Sequence, residues 1–248
     1  MAASSRDRPD AGWRPKAIVF DLLTALIDSW SLWDASTPSG TAAEGRRWRA
    51  RYLEVTFGAG AYVPYEDLVR RAARDVGLPP DAPDALLRGW GGLRPWPGAG
   101  AVLRSLRARG YGLAVVTNCS RRLGHLAARG VERSAGAGDN DGNDDDGGGD
   151  GGGDGGGREG CFAFDAVVTA EESGFYKPVG AAYEAVLTAM ALRPEDVLFV
   201  AGSAGDVQGA TDAGMRVVWH NKVGLAKKGE AVPLREGDSL HDVLKGFL

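Results

Sequence analysis

Polar side chains that could do chemistry stand at the ends of several strand-like segments. Asp21 directly follows the apolar run of residues 17–20, Asn118 ends a second such run, and Asp206 closes the loop after another. A charged group at the tip of a buried strand is either solvated by loop amides or used in chemistry. Because the carboxyl ends of parallel strands meet at one edge, these side chains are expected to converge. The residue two places after Asp21, where a second acid could help, is Leu23.

A parallel sheet is needed to bring these residues together, and the sequence pattern predicts one. Short β-branched runs alternate with amphipathic helical segments, which is typical of a doubly wound, Rossmann-like α/β fold with right-handed crossovers. The predicted strands lie in KAIVFD, GYGLAVVTN, AFDAVVTAEE, EDVLFVAGS and MRVVWHN. The predicted helices lie in AGAVLRSLRARG, CSRRLGHLAARG and GAAYEAVLTAMAL, and VQGATDAG fills the space before the last strand.

Residues 29–97 interrupt this alternation between the first and second strands. They carry apolar residues at helical spacing and little β pattern, so they predict a helical cap inserted over the site. The return segment GWGGLRPWPGAG is rich in Gly and Pro but lacks the Gly-Lys-Ser/Thr of a phosphate-binding loop. The α/β core is therefore expected to comprise residues 16–28 and 98–248, after a flexible N-terminal segment of residues 1–15.

A Gly/Asp-rich segment, residues 136–160, separates two well-patterned stretches. It holds seven Asp, one Glu and one Arg, so it carries a net charge of −7 and leaves +3 on the remainder of a chain whose total is −4. Its few apolar residues cannot offset the entropy of ordering it, which predicts a disordered loop insert. The mildly basic remainder suits a small anionic substrate and is too weakly charged to argue for nucleic acid.

Composition and cysteine usage indicate a cytoplasmic protein. The chain is 44% hydrophobic and 25% charged, and no apolar run approaches the roughly 20 residues that span a bilayer. The N-terminus lacks an apolar h-region, and the two cysteines have no CxxC partners, which argues against secretion and for a reducing compartment. The three histidines show no metal-ligand spacing, which argues against a zinc site.

Four motifs occur in order along nearly the whole chain: FDLLTAL, VVTN, FYKP and VAGSAGD. Together with the helical insert after the first, they resemble the haloacid dehalogenase superfamily, and specifically its 2-haloacid dehalogenase branch. The resemblance implies hydrolytic dehalogenation of a small 2-haloacid through an aspartyl ester, with Asp21 as the nucleophile. A homodimer is suggested by the resemblance alone.

The resemblance also implies roles for residues outside the first motif. Lys177 is expected to pair with the nucleophile and keep it ionised, while Asp206 orients Lys177 and the hydrolytic water. Arg49 in the cap carries a planar guanidinium, which suits a carboxylate and can receive the departing halide. The full predicted substrate-binding set is Arg49, Thr117, Asn118, Tyr183 and Ser203.

Two positions favour an enzyme without a metal or an organic cofactor. Leu23 stands where the superfamily's phosphatases carry an acid that protonates the leaving alcohol, and leucine cannot carry a proton. Only Asp206 remains of the acidic pair that magnesium-dependent members usually show in the fourth motif. Two alternatives stay open: a magnesium-dependent phosphatase with a reduced metal site, and a non-catalytic binding protein that kept the fold.

The first motif also departs from the family pattern. Dehalogenases tend to read x-Tyr-Gly-Thr-Leu after the nucleophile, whereas here the threonine, Thr24, is displaced by one position and no glycine eases the turn. In the fourth motif, this chain has Ala201 and Ser203 at the positions where the dehalogenases tend to have Ser and Asn. These differences predict fewer hydrogen bonds around the ester intermediate.

Overall fold

The computed structural model of the protein describes residues 12–137 and 161–248, and a parallel β-sheet forms the centre of this part. The strands are β1 (Ala17–Asp21), β2 (Ile27–Asp28), β3 (Arg94–Pro95), β4 (Gly112–Thr117), β5 (Ala166–Thr169), β6 (Val197–Ala201), β7 (Arg216–His220) and β8 (Glu236–Gly237). Within the described residues the main sheet has the order β5-β4-β1-β6-β7-β8, and each of its paired neighbours runs parallel. The predicted doubly wound, Rossmann-like sheet is confirmed.

Helices cover the region between β2 and β3, where the sequence predicted a cap. They are α1 (Trp30–Ala35), α2 (Ala42–Ala59), α3 (Tyr65–Asp75) and α4 (Asp81–Gly89). Buried aromatic rings join them: the ring centroid of Trp33 lies 4.6 Å from that of Trp48 and 4.9 Å from that of Tyr52. The division into core and cap at residues 28/29 and 97/98 stays a prediction.

The sequence pattern did not predict the short antiparallel pair that β2 and β3 form where the chain leaves and re-enters the core. Ile27 pairs with Pro95, and Asp28 pairs with Arg94. Trp96 strengthens this junction, because its backbone N–H donates to the Leu26 carbonyl at 2.8 Å. Two-residue strands carry too little periodicity to be recognised from sequence.

Helices also cover both faces of the sheet. They are α5 (Ala99–Ala108), α6 (Arg121–Gly136), α7 (Ala170–Ser173), α8 (Gly180–Met190), α9 (Ala204–Asp212) and α10 (Leu240–Val243). Alternate residues of β1 divide between two hydrophobic layers: Ile18 and Phe20 pack with α5, α6 and α10, and Val19 packs with α8 and α9. Burial on both faces explains why β1 is apolar up to Asp21.

The structure differs from the sequence prediction at both ends of the described ranges. Residues 12–15 were expected to be flexible, but the Trp13 indole donates to the Glu195 carbonyl at 3.2 Å and lies 4.3 Å under the Arg216 guanidinium. The indole supplies apolar surface that the rest of the polar segment lacks. Gly136, expected in the Gly/Asp-rich insert, is the last residue of α6. The predicted flexibility of residues 1–11 and disorder of residues 138–160 lie outside the described residues.

None of the helices in the described part of the chain is both long enough and apolar enough to cross a membrane.

Candidate active site

Six of the eight predicted site residues line a small cavity at the carboxyl edge of the sheet, beneath α2. The cavity has a volume of about 30 Å³. Its core side is formed by residues at the ends of β1, β4 and β6, in the loop after α7 and in the first turn of α9: Asp21, Leu23, Thr24, Asn118, Lys177, Ser203 and Asp206. Its cap side is formed by one face of α2: Arg49, Tyr52, Leu53 and Phe57.

Asp21 is held by the turn that follows β1. Residues Leu22–Leu26 form a π-helical turn, and its first donors point back at the carboxylate. The Asp21 Oδ2 atom accepts hydrogen bonds from the Thr24 N–H at 2.8 Å, the Ala25 N–H at 3.2 Å and the Thr24 hydroxyl. The displaced threonine still reaches Asp21 because the π-helical turn is wide. The expectation of fewer hydrogen bonds around the ester intermediate stays a prediction.

Gly202 allows the loop after β6 to pass close to this turn. A Cβ atom at Gly202 would lie 2.3 Å from the Ala25 nitrogen and 2.3 Å from the Thr24 hydroxyl oxygen. Real Cβ atoms do not approach other heavy atoms this closely, so any side chain at position 202 would push the turn away from Asp21. The glycine therefore keeps the β6 loop and its acid, Asp206, beside the nucleophile candidate.

Lys177 lies between the two buried carboxylates. Its Nζ donates to Asp21 Oδ1 at 2.8 Å and to Asp206 Oδ2 at 3.1 Å. Burial raises the pKa of Asp21, but the charge and hydrogen bond of Lys177 and the hydrogen bonds from Thr24 together lower it by more, so the net pKa is below its ordinary value. Burial lowers the pKa of Lys177, yet the two carboxylates raise it above its usual range. Asp21 and Lys177 are therefore both ionised at neutral pH.

Asp206 is fixed from two sides by hydroxyl groups. The Tyr183 hydroxyl donates to Asp206 Oδ1 at 2.9 Å, and the Ser203 hydroxyl donates to Asp206 Oδ2 at 3.1 Å. Burial raises the pKa of Asp206, Lys177 lowers it, and Asp21 raises it again, which leaves it above its ordinary value. Ser203 lines the cavity, but Tyr183 lies behind Asp206 and does not. The predicted substrate contact of Tyr183 is thus replaced by a contact that positions Asp206.

Asn118 and Thr117 were both predicted to bind the substrate, but only Asn118 lines the cavity. Asn118 lines the cavity, but its side chain is engaged with the Lys177 backbone: Oδ1 accepts from the N–H at 2.7 Å, and Nδ2 donates to the carbonyl at 2.9 Å. Strand alternation directs Thr117 toward α6, where its methyl group would lie 3.2 Å from a Cβ at Gly124. The Thr117 hydroxyl lies 3.8 Å from the Cys119 sulfur. Thr117 is therefore not part of the cavity wall.

Arg49 brings a buried cation to the cap side of the cavity. The residue is only 2% exposed, and its guanidinium carbon lies 4.1 Å from the Trp30 ring centroid and 5.6 Å from that of Trp33. Within the described residues, its Nε and Nη1 atoms are buried without a hydrogen-bond partner. Burial lowers the pKa of Arg49, but a guanidinium stays protonated in proteins. An unpaired buried cation is costly, which indicates that an anion belongs beside it.

Sequence reasoning missed the apolar part of the cavity wall. Tyr52, Leu53 and Phe57 follow Arg49 at helical spacing on α2, and that spacing is the signal that could have identified them. The Tyr52 hydroxyl also donates to the Asn118 carbonyl at 2.9 Å, which ties the cap helix to the core. Leu23 completes the wall with an apolar side chain where a phosphatase would need an acid.

The donor atoms at this site do not fit a divalent metal ion. All four carboxylate oxygens of Asp21 and Asp206 already accept hydrogen bonds, and the Lys177 ammonium lies between the two groups. Magnesium needs several oxygen ligands in octahedral geometry. Across residues 12–137 and 161–248, no cluster of three or more His, Cys, Asp or Glu side chains is arranged to hold a metal.

The chain is similar to known dehalogenases. The chain is 29% identical over 236 residues to the (S)-2-haloacid dehalogenase H-109 of Pseudomonas putida, covering 89% of this chain and 92% of that enzyme. It is 27% identical to the haloacetate dehalogenase H-2 of Moraxella sp. (strain B), covering 85% and 88% of the two chains.

The fold is also found in solved structures. The L-2-haloacid dehalogenase from Xanthobacter autotrophicus with chloropropionic acid covalently bound superposes with a TM-score of 0.69 at 21% identity, over 92% of this chain and 96% of that one. A family model describing haloacid dehalogenase-like hydrolases matches residues 15–214. Because this match spans most of the chain, the protein belongs to the haloacid dehalogenase-like hydrolase family.

Proposed function

We propose that the protein hydrolyses the carbon–halogen bond of small 2-haloacids and needs no metal. The observation that carries this proposal is the unpaired, buried guanidinium of Arg49, which lines the same cavity as the ionised carboxylate of Asp21. A 2-haloacid places an anionic group next to an electrophilic carbon, so it can occupy both partners at once. The similar (S)-2-haloacid dehalogenase and the neighbour with covalently bound chloropropionic acid support this substrate class.

In the first step, Asp21 Oδ1 attacks C2 of the substrate, and the halide leaves with the bonding electron pair. Arg49 binds the substrate carboxylate, because its Nε and Nη1 donors have no hydrogen-bond partner among the described residues. The halide leaves without being protonated, so the reaction does not need an acid at the position of the apolar Leu23. Lys177 keeps Asp21 ionised for the attack. The product of this step is an ester between Asp21 and the acid.

In the second step, water attacks the Asp21 carboxyl carbon and cleaves the bond between the ester oxygen and that carbon. The developing charge falls on Oδ2, which the Thr24 N–H, the Ala25 N–H and the Thr24 hydroxyl already surround. One water proton goes to the leaving 2-hydroxy acid, and the other is released through Asp206, held by Tyr183 and Ser203. Asp21 is regenerated as a carboxylate.

Halide release from racemic 2-chloropropanoate in excess EDTA tests this reaction directly. We expect halide release to continue through many turnovers, at the same rate with EDTA as without it, because no step involves a metal. Halide-specific detection and a parallel assay with added magnesium measure the effect. No halide at enzyme concentrations that would reveal a single turnover contradicts the proposed function. Activity that EDTA removes and magnesium restores contradicts the metal-free part of it.

Replacing Arg49 by Met should separate activity from stability. We expect kcat/KM for 2-chloropropanoate to fall by at least about 100-fold, because the substrate carboxylate loses its charged partner. The free energy of unfolding should stay equal or rise, because a buried cation without a partner among the described residues is replaced by an apolar chain of similar length. Steady-state kinetics and urea unfolding measure the two effects.

The matched control for Arg49→Met is Arg71→Met, which removes an exposed guanidinium from α3. This control should change neither kcat/KM nor stability appreciably. An unchanged kcat/KM in Arg49→Met would mean that Arg49 does not bind the substrate carboxylate. A large fall in the free energy of unfolding would mean that the buried guanidinium stabilises the fold without an anion.

We also propose that the protein is cytoplasmic. In the described residues Cys119 is buried and Cys161 is exposed, and both are free thiols. Unpaired cysteines are typical of proteins in a reducing compartment.

A further inference from the structure

A second, larger cleft adjoins the catalytic cavity. It has a volume of about 350 Å³, against about 30 Å³ for the cavity around Asp21. Leu53, Phe57 and Ser203 line both spaces, so the cleft and the cavity lie next to each other. A volume of this larger size is typical of a small-molecule site, whereas the catalytic cavity alone has room for only a few atoms.

Apolar side chains form a large part of the cleft wall. Trp30 and Ala50 line it from the cap side, and Leu225 and Ala226 line it from the loop after β7. Charged side chains also line the cleft, but Arg46, Glu54 and Lys228 are exposed. Such a lining can remove an alkyl chain from water while solvent keeps access to the mouth.

Phe57 forms the divider between the cleft and the cavity, and Gly205 makes its position possible. A Cβ atom at Gly205 would lie 2.4 Å from Phe57 Cε2, so the ring packs directly on the glycine backbone. Trp30 lines the cleft, and its ring centroid lies 4.1 Å from the guanidinium carbon of Arg49, which lines the catalytic cavity. A substrate whose carboxylate is bound by Arg49 therefore has this cleft as the adjoining space for its remaining carbons.

We propose that this cleft binds the C2 substituent of the substrate, and that the preferred substrates are 2-haloacids with an apolar chain of several carbons. The inference rests on the proposed dehalogenase function and names the substrate class within it. The catalytic cavity binds the carboxylate and the reacting carbon, and the chain passes Leu53 and Phe57 into the cleft. Haloacetate and 2-halopropanoate leave the cleft empty and are poorer substrates.

A chain-length series tests this substrate class. We expect kcat/KM for 2-bromohexanoate to exceed that for 2-bromopropanoate by about tenfold or more, because each additional buried methylene favours binding. Halide release with both substrates is measured under the same conditions. Release from both substrates without a gain for the longer one overturns the cleft proposal and leaves the dehalogenase function intact.

Filling the cleft gives the complementary test. Ala50→Trp adds an indole to the cleft wall, and we expect the ratio of kcat/KM for the long and short substrates to fall by about tenfold. Ala43→Trp is the matched control, because Ala43 is exposed on the same helix and does not line the cleft. The control should keep the wild-type ratio. An unchanged ratio in Ala50→Trp overturns the proposal.

Binding of the products provides a readout that needs no turnover. We expect 2-hydroxyhexanoate to bind about tenfold more tightly than 2-hydroxypropanoate by calorimetry, with the difference lost in Ala50→Trp and kept in Ala43→Trp. Equal affinities overturn the cleft proposal. Absence of halide release from every haloacid, with this difference in affinity present, instead contradicts the dehalogenase function while supporting the cleft as an apolar subsite.

Discussion

Replacing Asp21 by Asn is expected to reduce halide release from 2-chloropropanoate by at least about 10⁴-fold, because removing a covalent nucleophile costs several orders of magnitude. An amide has nearly the shape of the carboxylate, and its oxygen can still accept the hydrogen bonds from Thr24 and Ala25. It cannot form the ester. The protein should therefore stay folded while the reaction stops, and halide assays with circular dichroism measure both effects.

Asp67→Asn is the control for this substitution. Asp67 lies on α3 with a side chain that is 67% exposed, and its neutralisation should leave kcat/KM within about twofold of the wild type. Single turnover in ¹⁸O-labelled water adds a second readout, because hydrolysis at the Asp21 carboxyl carbon puts the label on the protein and not on the first product. Substantial activity in Asp21→Asn, with label in the first product, would mean that water attacks C2 directly.

The sequence was sufficient for the sheet and for the residues at its edge because both follow from local patterns. Apolar β-branched runs that end in Asp21, Asn118 or the loop to Asp206 identify strand ends, and parallel topology brings strand ends together. Lys177 was placed through the family motif, and the structure puts its ammonium between both acids. Their catalytic roles remain predictions until the variants are measured.

The details that sequence reasoning missed depend on contacts between distant segments. The π-helical turn after Asp21 is compatible with the close approach of Gly202, which lies far away in sequence. Tyr183 reaches Asp206 and not the cavity because Gly209 on α9 leaves room for it; a Cβ there would lie 2.6 Å from the Tyr183 hydroxyl. Neither relation produces a periodic signal, so neither can be read from one sequence.

The two buried cations of the site differ in whether the protein itself supplies a charged partner, and we therefore expect their removal to affect stability differently. Lys177 is surrounded by carboxylates, so its burial is compensated within the described residues. Arg49 contacts the Trp30 and Trp33 rings but has no hydrogen-bond partner on Nε or Nη1 among the described residues, so its charge is paired only when an anion binds. Sites that break the rule of paired buried charge are where function is expected. Removing Lys177 should therefore destabilise the protein, in contrast to the expected effect of removing Arg49.

Replacing Lys177 by Met is expected to lower the free energy of unfolding at neutral pH by about 3–5 kcal/mol and to abolish measurable turnover. The substitution leaves Asp21 and Asp206 buried side by side without their shared cation. In the wild type the lowered pKa of Asp21 contributes stability above its unfolded value of about 3.9, and this contribution is lost as pH falls through the folded value. Urea unfolding between neutral and acidic pH measures the difference.

In Lys177→Met, the Thr24 hydrogen bonds still oppose the effect of burial on Asp21 but the charge of Lys177 no longer does, so the pKa of Asp21 should rise. The variant therefore gains stability when a proton binds to the carboxylate pair. The stability gap to the wild type is therefore largest at neutral pH and narrows as pH falls. Lys245→Met, at an exposed position near the C-terminus, controls for loss of a positive charge and should show a small gap that does not depend on pH in this way. A constant gap for Lys177→Met across the same pH range would contradict the coupling of Lys177 to Asp21, because only proton uptake by the uncompensated carboxylates makes the gap change with pH.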